Sequence, residues 1–462
     1  MTTRSIPYHP VVSILIITGF IVSTACTFRG SGMDAVRPRP DSLAGILEKS
    51  LIRYTLEPWY PRCIDTLHGG YLAGFTNDWS PAWKGEGKAL VQQARHLWST
   101  AYIAGHYAGM SEYRAYSATG FRFIRDYFRD PEQGGYFYAC ERDGTPREAT
   151  LRTKNAYGQA FTIMALAEYH LAVRDPEAIE LAMEAFGWME ERCHDPVHGG
   201  YFEILERDGS PRFIDPGTLP RDDELPTVGL KEYNSAIHVL EAFTALYEAS
   251  RDSLVRERLE EMFILVRDTI VHPDGYEELY FYPDWQPVPA EEMARRSPGN
   301  YWFTQHVSFC HDVEVAYLLL DAARVLEIED DQRTRTVAKR MVDHALDRGW
   351  DLEAGGFYYA GMYRDGEMVI IDDRKPWWGE SEGLNALLQM YRLFPDDPRD
   401  YYGKALLLWD YIDSCLIDHQ HGGWYNFGTD NAPRTVRSKK GHWWKSTYHV
   451  VRGLDHAIKA LK

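Results

Sequence analysis

The chain has 462 residues and a formal net charge of −18 at pH 7, with 45% hydrophobic and 26% charged residues. This composition is typical of a globular protein, and about 420 residues after a leader suffice for one large domain or two ordinary ones. The acidic balance argues against nucleic-acid binding, because phosphate contacts need clustered lysine and arginine.

The N-terminus predicts an export signal over residues 1–25. Arg4 supplies positive charge, residues 11–22 form an apolar run, and small residues precede Cys26. The run is shorter than the ~20 residues of a membrane-spanning helix. Cys26 resembles the lipid-bearing residue of a bacterial lipoprotein signal, and ordinary secretion is the alternative.

Residues 26–41 are rich in glycine, serine, arginine and proline, which predicts a flexible tether. We therefore expect a periplasmic protein or an outer-membrane-anchored lipoprotein that meets the membrane only through Cys26. The folded domain is predicted over residues 42–462, as a monomer or a homodimer.

A three-residue motif of two glycines and an aromatic residue, which we call the Gly-Gly phrase, recurs about every 65 residues. It occurs at residues 69–71, 134–136, 199–201, 355–357 and 422–424. The one long gap is divided by Pro-Asp-Gly-Tyr at residues 273–276, which gives six units. Arg-Asp-Gly turns at 142–144, 207–209 and 364–366 predict β-hairpins after three of the phrases.

Helical periodicity flanks every copy of the phrase and predicts twelve helices, at about 42–55, 86–107, 112–129, 154–173, 175–193, 231–250, 252–270, 305–326, 332–348, 377–393, 399–415 and 443–460. Six pairs predict an all-α fold, an (α/α)6 barrel of six helical hairpins with short Gly-Gly β-hairpin loops. An open solenoid is the alternative, but neither terminal unit has the polar face of a cap.

The helix after each phrase is expected to lie inside the barrel. Polar and aromatic residues occur near the start of each of these helices, so parallel inner helices would bring them to one mouth. The residues are Arg95, Tyr157, Asn234, His238, His311, Trp378, Glu382, Trp444 and His449.

Two of the inner helices repeat a His-x-x-Glu spacing, in His238 with Glu241 and in His311 with Glu314. Residues three apart share a helix face, so Glu314 is expected to orient the His311 imidazole. Histidine can act as acid or base near neutral pH without a metal. The five remaining cysteines show no Cys-x-x-Cys spacing, so no zinc site, metal or cofactor is expected.

Two histidines on opposite walls could take a proton from one face of a carbon and return it to the other, which is epimerisation. Arg95 could stabilise the enediolate oxygen, a role worth ~3–4 kcal/mol for a fixed donor. Trp378 and Trp444 offer flat faces for sugar rings.

Five motifs in this order resemble the N-acylglucosamine 2-epimerase family, and within it most closely the cellobiose 2-epimerases. They are Gln93-Ala-Arg95-His-Leu-Trp98, Asn234-x-x-x-His238-x-x-Glu241, His311-Asp-Val-Glu314, Trp377-Trp378-Gly-Glu-Ser-Glu382 and Trp444-Lys-Ser-Thr-Tyr448-His449.

The resemblance implies an (α/α)6 barrel and a metal-independent epimerase that acts at C2 of a reducing sugar, either a disaccharide or a monosaccharide. It implies that His311 and His449 are the acid/base pair and that His238 assists them. By the same resemblance the sugar is held by Arg95, Tyr157, Asn234 and Trp378. Glu314 and Glu382 would support the histidines or the sugar hydroxyls.

The residues are also compatible with four other functions. The two His-x-x-Glu helices could hold a dinuclear metal site. Glu314 and Glu382 could serve an inverting glycoside hydrolase, in which the carboxyl groups stand about 6.5–9.5 Å apart. The others are a mannose- or N-acetylglucosamine-acting epimerase or aldose–ketose isomerase, and a non-catalytic glycan-binding lipoprotein.

Overall fold

The computed structural model describes residues 37–462, apart from residues 83, 215–217, 222–223, 301 and 303. The predicted signal over residues 1–25, Cys26 and most of the tether lie outside the described residues. None of the helices in the described part combines the length and the apolar character of a membrane span.

The described residues form fourteen α-helices, twelve of which correspond to the predicted twelve. They are α1 (Pro40–Leu51), α2 (Glu57–Trp59), α3 (Leu90–His106), α4 (Tyr113–Phe123), α5 (Ala156–Val173), α6 (Pro176–Arg192), α7 (Tyr233–Ser250), α8 (Ser253–Leu265), α9 (Ala290–Arg296), α10 (Phe309–Val325), α11 (Gln332–Arg348), α12 (Trp377–Leu393), α13 (Tyr401–Tyr411) and α14 (Tyr448–Leu461). The short helices α2 and α9 are additions.

Six helices form a closed inner ring, in the order α3, α5, α7, α10, α12 and α14, because each packs on the next and α14 packs on α3. The outer helix α1 packs on α14 and joins the two ends of the chain. The predicted (α/α)6 barrel is confirmed, and the open solenoid is excluded.

Burial separates the two layers of helices. In the inner helix α12 every residue from Trp377 to Met390 is buried. In the outer helix α11 the buried residues recur at helical spacing, as Val337, Met341 and Ala345 do. An amphipathic helix covers a core on one side, whereas a helix buried all round must stand inside it.

Short antiparallel strands connect consecutive units. They are β1 (Lys88–Ala89), β2 (Ala139–Cys140), β3 (Thr153–Asn155), β4 (Ile204–Glu206), β5 (Lys231–Glu232), β6 (Tyr280–Phe281), β7 (Val307–Ser308), β8 (Ala360–Arg364) and β9 (Glu367–Asp372). The pairs are β1 with β2, β3 with β4 and β5 with β6, and β7, β8 and β9 form a three-stranded sheet. Of the three predicted hairpins, only the turn at 364–366 joins two paired strands, whereas the turns at 142–144 and 207–209 are closed by single bridges, Cys140 with Pro146 and Leu205 with Pro211. In the Gly-Gly phrases both residues have positive φ, such as 70° at Gly134 and 64° at Gly135, which glycine adopts without steric cost.

Some predicted boundaries differ from the structure by a few residues. The tether is predicted to continue to residue 41, but α1 begins at Pro40, because proline suits the first helical position after the extended Arg39. Arg37 also binds Asp400, with nitrogen to oxygen distances of 2.9 and 2.6 Å. At the other end α14 begins at Tyr448 instead of residue 443, so Trp444 lies in the loop before the last helix.

Buried lysine–aspartate pairs hold the Gly-Gly loops, a feature that the sequence analysis missed. Lys231, just before α7, lies 2.7 Å from the Asp195 carboxylate and donates to the Gly199 carbonyl oxygen at 2.7 Å. Each loop is thereby fixed beside the start of an inner helix. The pairs thus position the end of the barrel at which the inner helices begin. The other pairs are Lys88 with Asp65, Lys154 with Asp130, Lys375 with Asp351 and Lys440 with Asp418.

Replacing Lys231 with methionine is expected to lower the free energy of unfolding by about 3–5 kcal/mol, because the Asp195 carboxylate stays buried without its cation. Urea unfolding at pH 7 measures the change. Arg129→Met removes an ion pair with Glu184 in which both side chains are about half exposed, and it should cost only ~0–1 kcal/mol. Equal losses in the two variants would contradict the prediction.

Candidate active site

The N-terminal ends of the inner helices meet at one end of the barrel, which we call the mouth. There the Trp378 ring lies between two imidazoles, with ring centroids 4.7 Å from His311 and 5.4 Å from His449. On the other side, the Tyr157 ring lies 5.2 Å from His238 and 6.5 Å from Trp444. The structure thus brings the predicted aromatic residues and histidines together.

Arg95 is held rigidly at the mouth. Its guanidinium donates to the Tyr157 hydroxyl at 2.8 Å and to the Trp444 carbonyl oxygen at 2.9 Å, and it lies 4.5 Å from the Phe161 ring centroid. Its buried Nε has no hydrogen-bond partner among the described residues, and neither has the Asn234 Oδ1. Both atoms are buried, and buried polar atoms without a partner are uncommon in folded proteins.

The predicted pairing of His311 with Glu314 is wrong. The Nδ1 atom of His311 lies 2.6 Å from the Ser308 hydroxyl and 3.0 Å from the Tyr233 hydroxyl. Glu314 turns away and accepts a hydrogen bond from Arg452 of α14. A shared helix face allows two side chains to meet, but a closer partner on a neighbouring helix decides whether they do.

The other two histidines are held by carboxylates. The His238 Nδ1 lies 2.9 Å from Glu241 Oε2, as the spacing suggests. The His449 Nδ1 lies 3.0 Å from Glu382 Oε1, across two helices. Glu314 is more distant, with its Oε1 3.8 Å from the same nitrogen.

The three imidazoles therefore share one arrangement. Each uses Nδ1 for a protein contact, and the Nε2 of His238, His311 and His449 has no protein partner among the described residues. A fixed Nδ1 sets the ring orientation, so Nε2 is the nitrogen left to exchange a proton with a ligand.

Behind the histidines, one arginine meets three carboxylates. Arg452 donates to Glu382 Oε1 from Nε at 3.1 Å and from its terminal nitrogen at 2.7 Å, and it also binds Glu241 and Glu314. Its side chain is 2% exposed. We call these four residues the Arg452 cluster. Arg452 is not among the predicted site residues, although its place three residues after His449, on a largely apolar helix, is a signal that could have identified it.

Burial sets the protonation of the site. It lowers the pKa of His311 and of His449 well below 6.5, and the charge of Arg95 adds to both shifts, so both rings are neutral at pH 7. Burial raises the pKa of Glu382 to about 8 although Arg452 opposes it. Burial also opposes ionisation of Glu241, but Arg452 and His238 outweigh it and lower that pKa to about 2.

Glu314, Glu382 and His449 each offer an atom within 4.8 Å of the others, a spacing at which a cation could bind. The Arg452 guanidinium already donates to both carboxylates. Positive charge is therefore supplied at this point by the protein itself.

Fold and site together define an (α/α)6-barrel enzyme whose mouth presents aromatic faces, hydrogen-bonding groups and neutral imidazoles to a polyhydroxylated ligand. The family model described as N-acylglucosamine 2-epimerase (GlcNAc 2-epimerase) matches residues 70–453, and the chain belongs to this family. It is an enzyme of the carbohydrate isomerase class.

Individual relatives agree with this assignment. A cellobiose 2-epimerase of Bacteroides fragilis is 28% identical over 418 residues, which cover 88% of this chain and 96% of that protein. A D-mannose isomerase of Thermobifida fusca is 27% identical over 353 residues, covering 75% and 80%. The solved structure of a cellobiose 2-epimerase from Spirochaeta thermophila superposes with a TM-score of 0.77 at 28% identity, covering 93% of this chain and 98% of that one.

Proposed function

We propose that this enzyme interconverts C2 epimers at the reducing end of a glucose- or mannose-type sugar by proton transfer between histidines. The observation that carries the proposal is that three imidazoles are fixed through Nδ1 and leave Nε2 for a ligand at one mouth. General acid–base catalysis needs a proton carrier held in this way within reach of the substrate.

In the proposed reaction a neutral His311 takes the proton from C2, and the electron pair of the C–H bond enters the enediolate. His449 returns a proton from Nε2 to the opposite face of C2, and its Nδ1 recovers one from Glu382, whose raised pKa of about 8 keeps it protonated near neutral pH. Before the next turnover His311 releases its proton to solvent and Glu382 takes one up from solvent. Arg95 binds the enediolate oxygen, and His238 assists opening and closing of the sugar ring. In the reverse direction the two histidines exchange roles.

The aromatic residues support a reducing disaccharide as well as a monosaccharide. Trp378 is 8% exposed, which suits the reacting ring, whereas Trp444 is 48% exposed at the rim of the mouth, where a second ring could stack. The B. fragilis relative is named for cellobiose and the T. fusca relative for D-mannose. Return of the proton to C1 of the same enediolate would instead give a ketose.

The geometry does not favour a hydrolase or a metal enzyme. Glu314 and Glu382 offer oxygens within 4.8 Å of one another, whereas inverting hydrolysis uses carboxyl groups about 6.5–9.5 Å apart. Both carboxylates are also bound by Arg452. A dinuclear site would need His311 and Glu314 on one ion, and they point to different partners.

Proton NMR in heavy water tests the proposal directly. Cellobiose, mannobiose, glucose, mannose and N-acetylglucosamine are incubated separately with the purified enzyme. The expected product is the C2 epimer of one or more of these sugars, with deuterium at C2 and any glycosidic bond intact. Cleavage of the disaccharides, or binding without conversion, would overturn the proposal.

Replacing Trp444 with alanine is expected to raise KM for a disaccharide about fivefold while KM for the corresponding monosaccharide changes less than about twofold. The reason is that only a second ring reaches this half-exposed indole, and one ring contact is worth roughly 1 kcal/mol. Steady-state kinetics with cellobiose and glucose measure the two effects. An equal rise for both sugars would place Trp444 against the reacting ring instead.

A further inference from the structure

A cavity of about 830 Å³ lies at the end of the barrel opposite the mouth, where the inner helices end. We call it the rear cavity. Its volume falls within the range of small-molecule pockets. The proposed epimerisation makes no use of it, although Glu241 and Arg452 form part of its inner end. All six inner helices contribute to its wall, for example through His106, Leu171, Glu248, Arg324, Leu393 and Lys459.

One carboxyl group in this wall lacks a partner. Glu168 of α5 is 8% exposed, and among the described residues its carboxyl group makes no hydrogen bond or ion pair. Buried carboxyl groups are normally bonded, because the loss of water contacts is costly. An unbonded carboxyl group that faces a cavity therefore indicates a binding site for a ligand that donates a hydrogen bond to the carboxyl group.

The nearby cations are already engaged. Arg324 lies 2.9 Å from Asp321 and 3.2 Å from Glu248. Lys459 lies 3.0 Å from Asp455 and donates to the Tyr102 hydroxyl at 2.6 Å. Arg174 and Arg392 are exposed on the rim, where water screens their charge.

The electrostatic surroundings of Glu168 favour a positive ligand. Six helices direct their C-terminal, partly negative ends toward this cavity. Burial and the nearby Glu248 and Asp455 raise the pKa of Glu168 to about 8, although Lys459 opposes them. Much of the remaining wall is hydrocarbon, including Met164 and Leu318.

We propose that the rear cavity binds a small organic ammonium ion, with its charged group on the Glu168 carboxylate and its hydrocarbon body against Met164 and Leu318. A bare metal ion would leave most of the volume and the apolar wall without contact. A neutral sugar would leave the Glu168 carboxylate without a cation. This site is separate from the mouth and does not depend on the proposed epimerase reaction.

Calorimetric titration of the whole enzyme with butylammonium chloride tests the site, with 1-butanol as the neutral ligand of similar shape. We expect one saturable site for butylammonium and at least tenfold weaker binding of butanol. Glu168→Gln should weaken butylammonium binding at least tenfold at pH 8. Because a neutral amide has nearly the shape of the protonated carboxyl group and is easier to bury than the ionised one, this variant should fold with unchanged or higher thermal stability.

Proton linkage provides a second readout. Below pH 8 Glu168 holds a proton that an ammonium ion must displace, so binding should release protons and strengthen roughly tenfold between pH 7 and pH 9. Titrations in two amine-free buffers of different ionisation enthalpy measure the release. Glu180→Gln, at an exposed position of α6, is the matched control and should bind as the unchanged enzyme does. Absence of butylammonium binding, equal binding of butanol, or an unaltered Glu168→Gln variant would overturn the proposal.

Discussion

Replacing His449 with alanine is expected to lower kcat for epimerisation by about 10²- to 10⁴-fold, the usual loss when a positioned acid or base is removed. His311→Ala should lose a comparable factor. The fold should persist, because neither imidazole joins the helices of the barrel in the way that Arg452 does. Circular dichroism and the melting temperature check this point.

Isotope exchange distinguishes a two-histidine mechanism from a single base. Each epimer is offered separately in heavy water to His311→Ala and to His449→Ala. Each variant should exchange the C2 proton for deuterium in one epimer only. The epimer that exchanges with His311→Ala should be the opposite of the one that exchanges with His449→Ala. Exchange from both epimers in either variant would assign both protons to one base. His198→Ala, in an exposed loop, should behave as the unchanged enzyme.

Replacing Arg452 with methionine is expected to lower the free energy of unfolding at pH 8 by at least ~3–5 kcal/mol, since buried carboxylates lose their cation. The kcat should also fall about 100-fold, because Glu241 and Glu382, which hold His238 and His449, would lose their fixed positions. Arg452→Lys keeps the charge but cannot reach three carboxylates at once, so we expect intermediate losses.

The effect of Arg452→Met on stability should depend on pH. In the unchanged enzyme the pKa of Glu241 is lowered to about 2, below its value in the unfolded chain near ~4.3, so its contribution to stability is present above that value. Without the arginine, burial raises the pKa above the unfolded value, and ionisation then destabilises the fold. The stability difference should therefore shrink between pH 8 and pH 5 in urea unfolding experiments.

Arg258 offers a matched control for Arg452. It also contacts three glutamates, with Glu190 at 2.7 Å, Glu257 at 2.8 Å and Glu261 at 3.4 Å, but it lies on an outer helix and is 18% exposed. Arg258→Met should cost only about 1 kcal/mol and leave kcat unchanged. An equal loss of stability in the two variants would show that burial of the Arg452 cluster has no special cost.

Local patterns predicted the barrel because each of its repeats contains its own short sequence motifs. Two adjacent glycines mark loops whose backbone has positive φ, as at Gly134 and Gly135, and helical periodicity marks the segments between them. The start of the last helix is not marked in the same way. The aromatic residues around Trp444 suit helix and loop alike, so the local pattern predicts a helix where the structure has a loop.

The residues at the mouth were predictable as a set but not as pairs. A common position near the start of each inner helix brought Arg95, Tyr157, His311 and His449 to one place. The partner of each imidazole was not predictable from spacing along one helix. Glu382 reaches His449 from α12, and Ser308 and Tyr233 hold His311 instead of Glu314.

The repeat, the inner and outer helices, and the end of the barrel at which the histidines lie can be predicted from the sequence, because they depend on local backbone preference and on periodic burial. The charge balance of the buried groups follows only from the folded arrangement of the helices. Arg452 meets Glu241, Glu314 and Glu382 from three other helices, and Glu168 meets no partner in the part of the chain that the structure describes. The protonation of a buried group depends on every charge around it, and those charges come together only when the ring of helices closes.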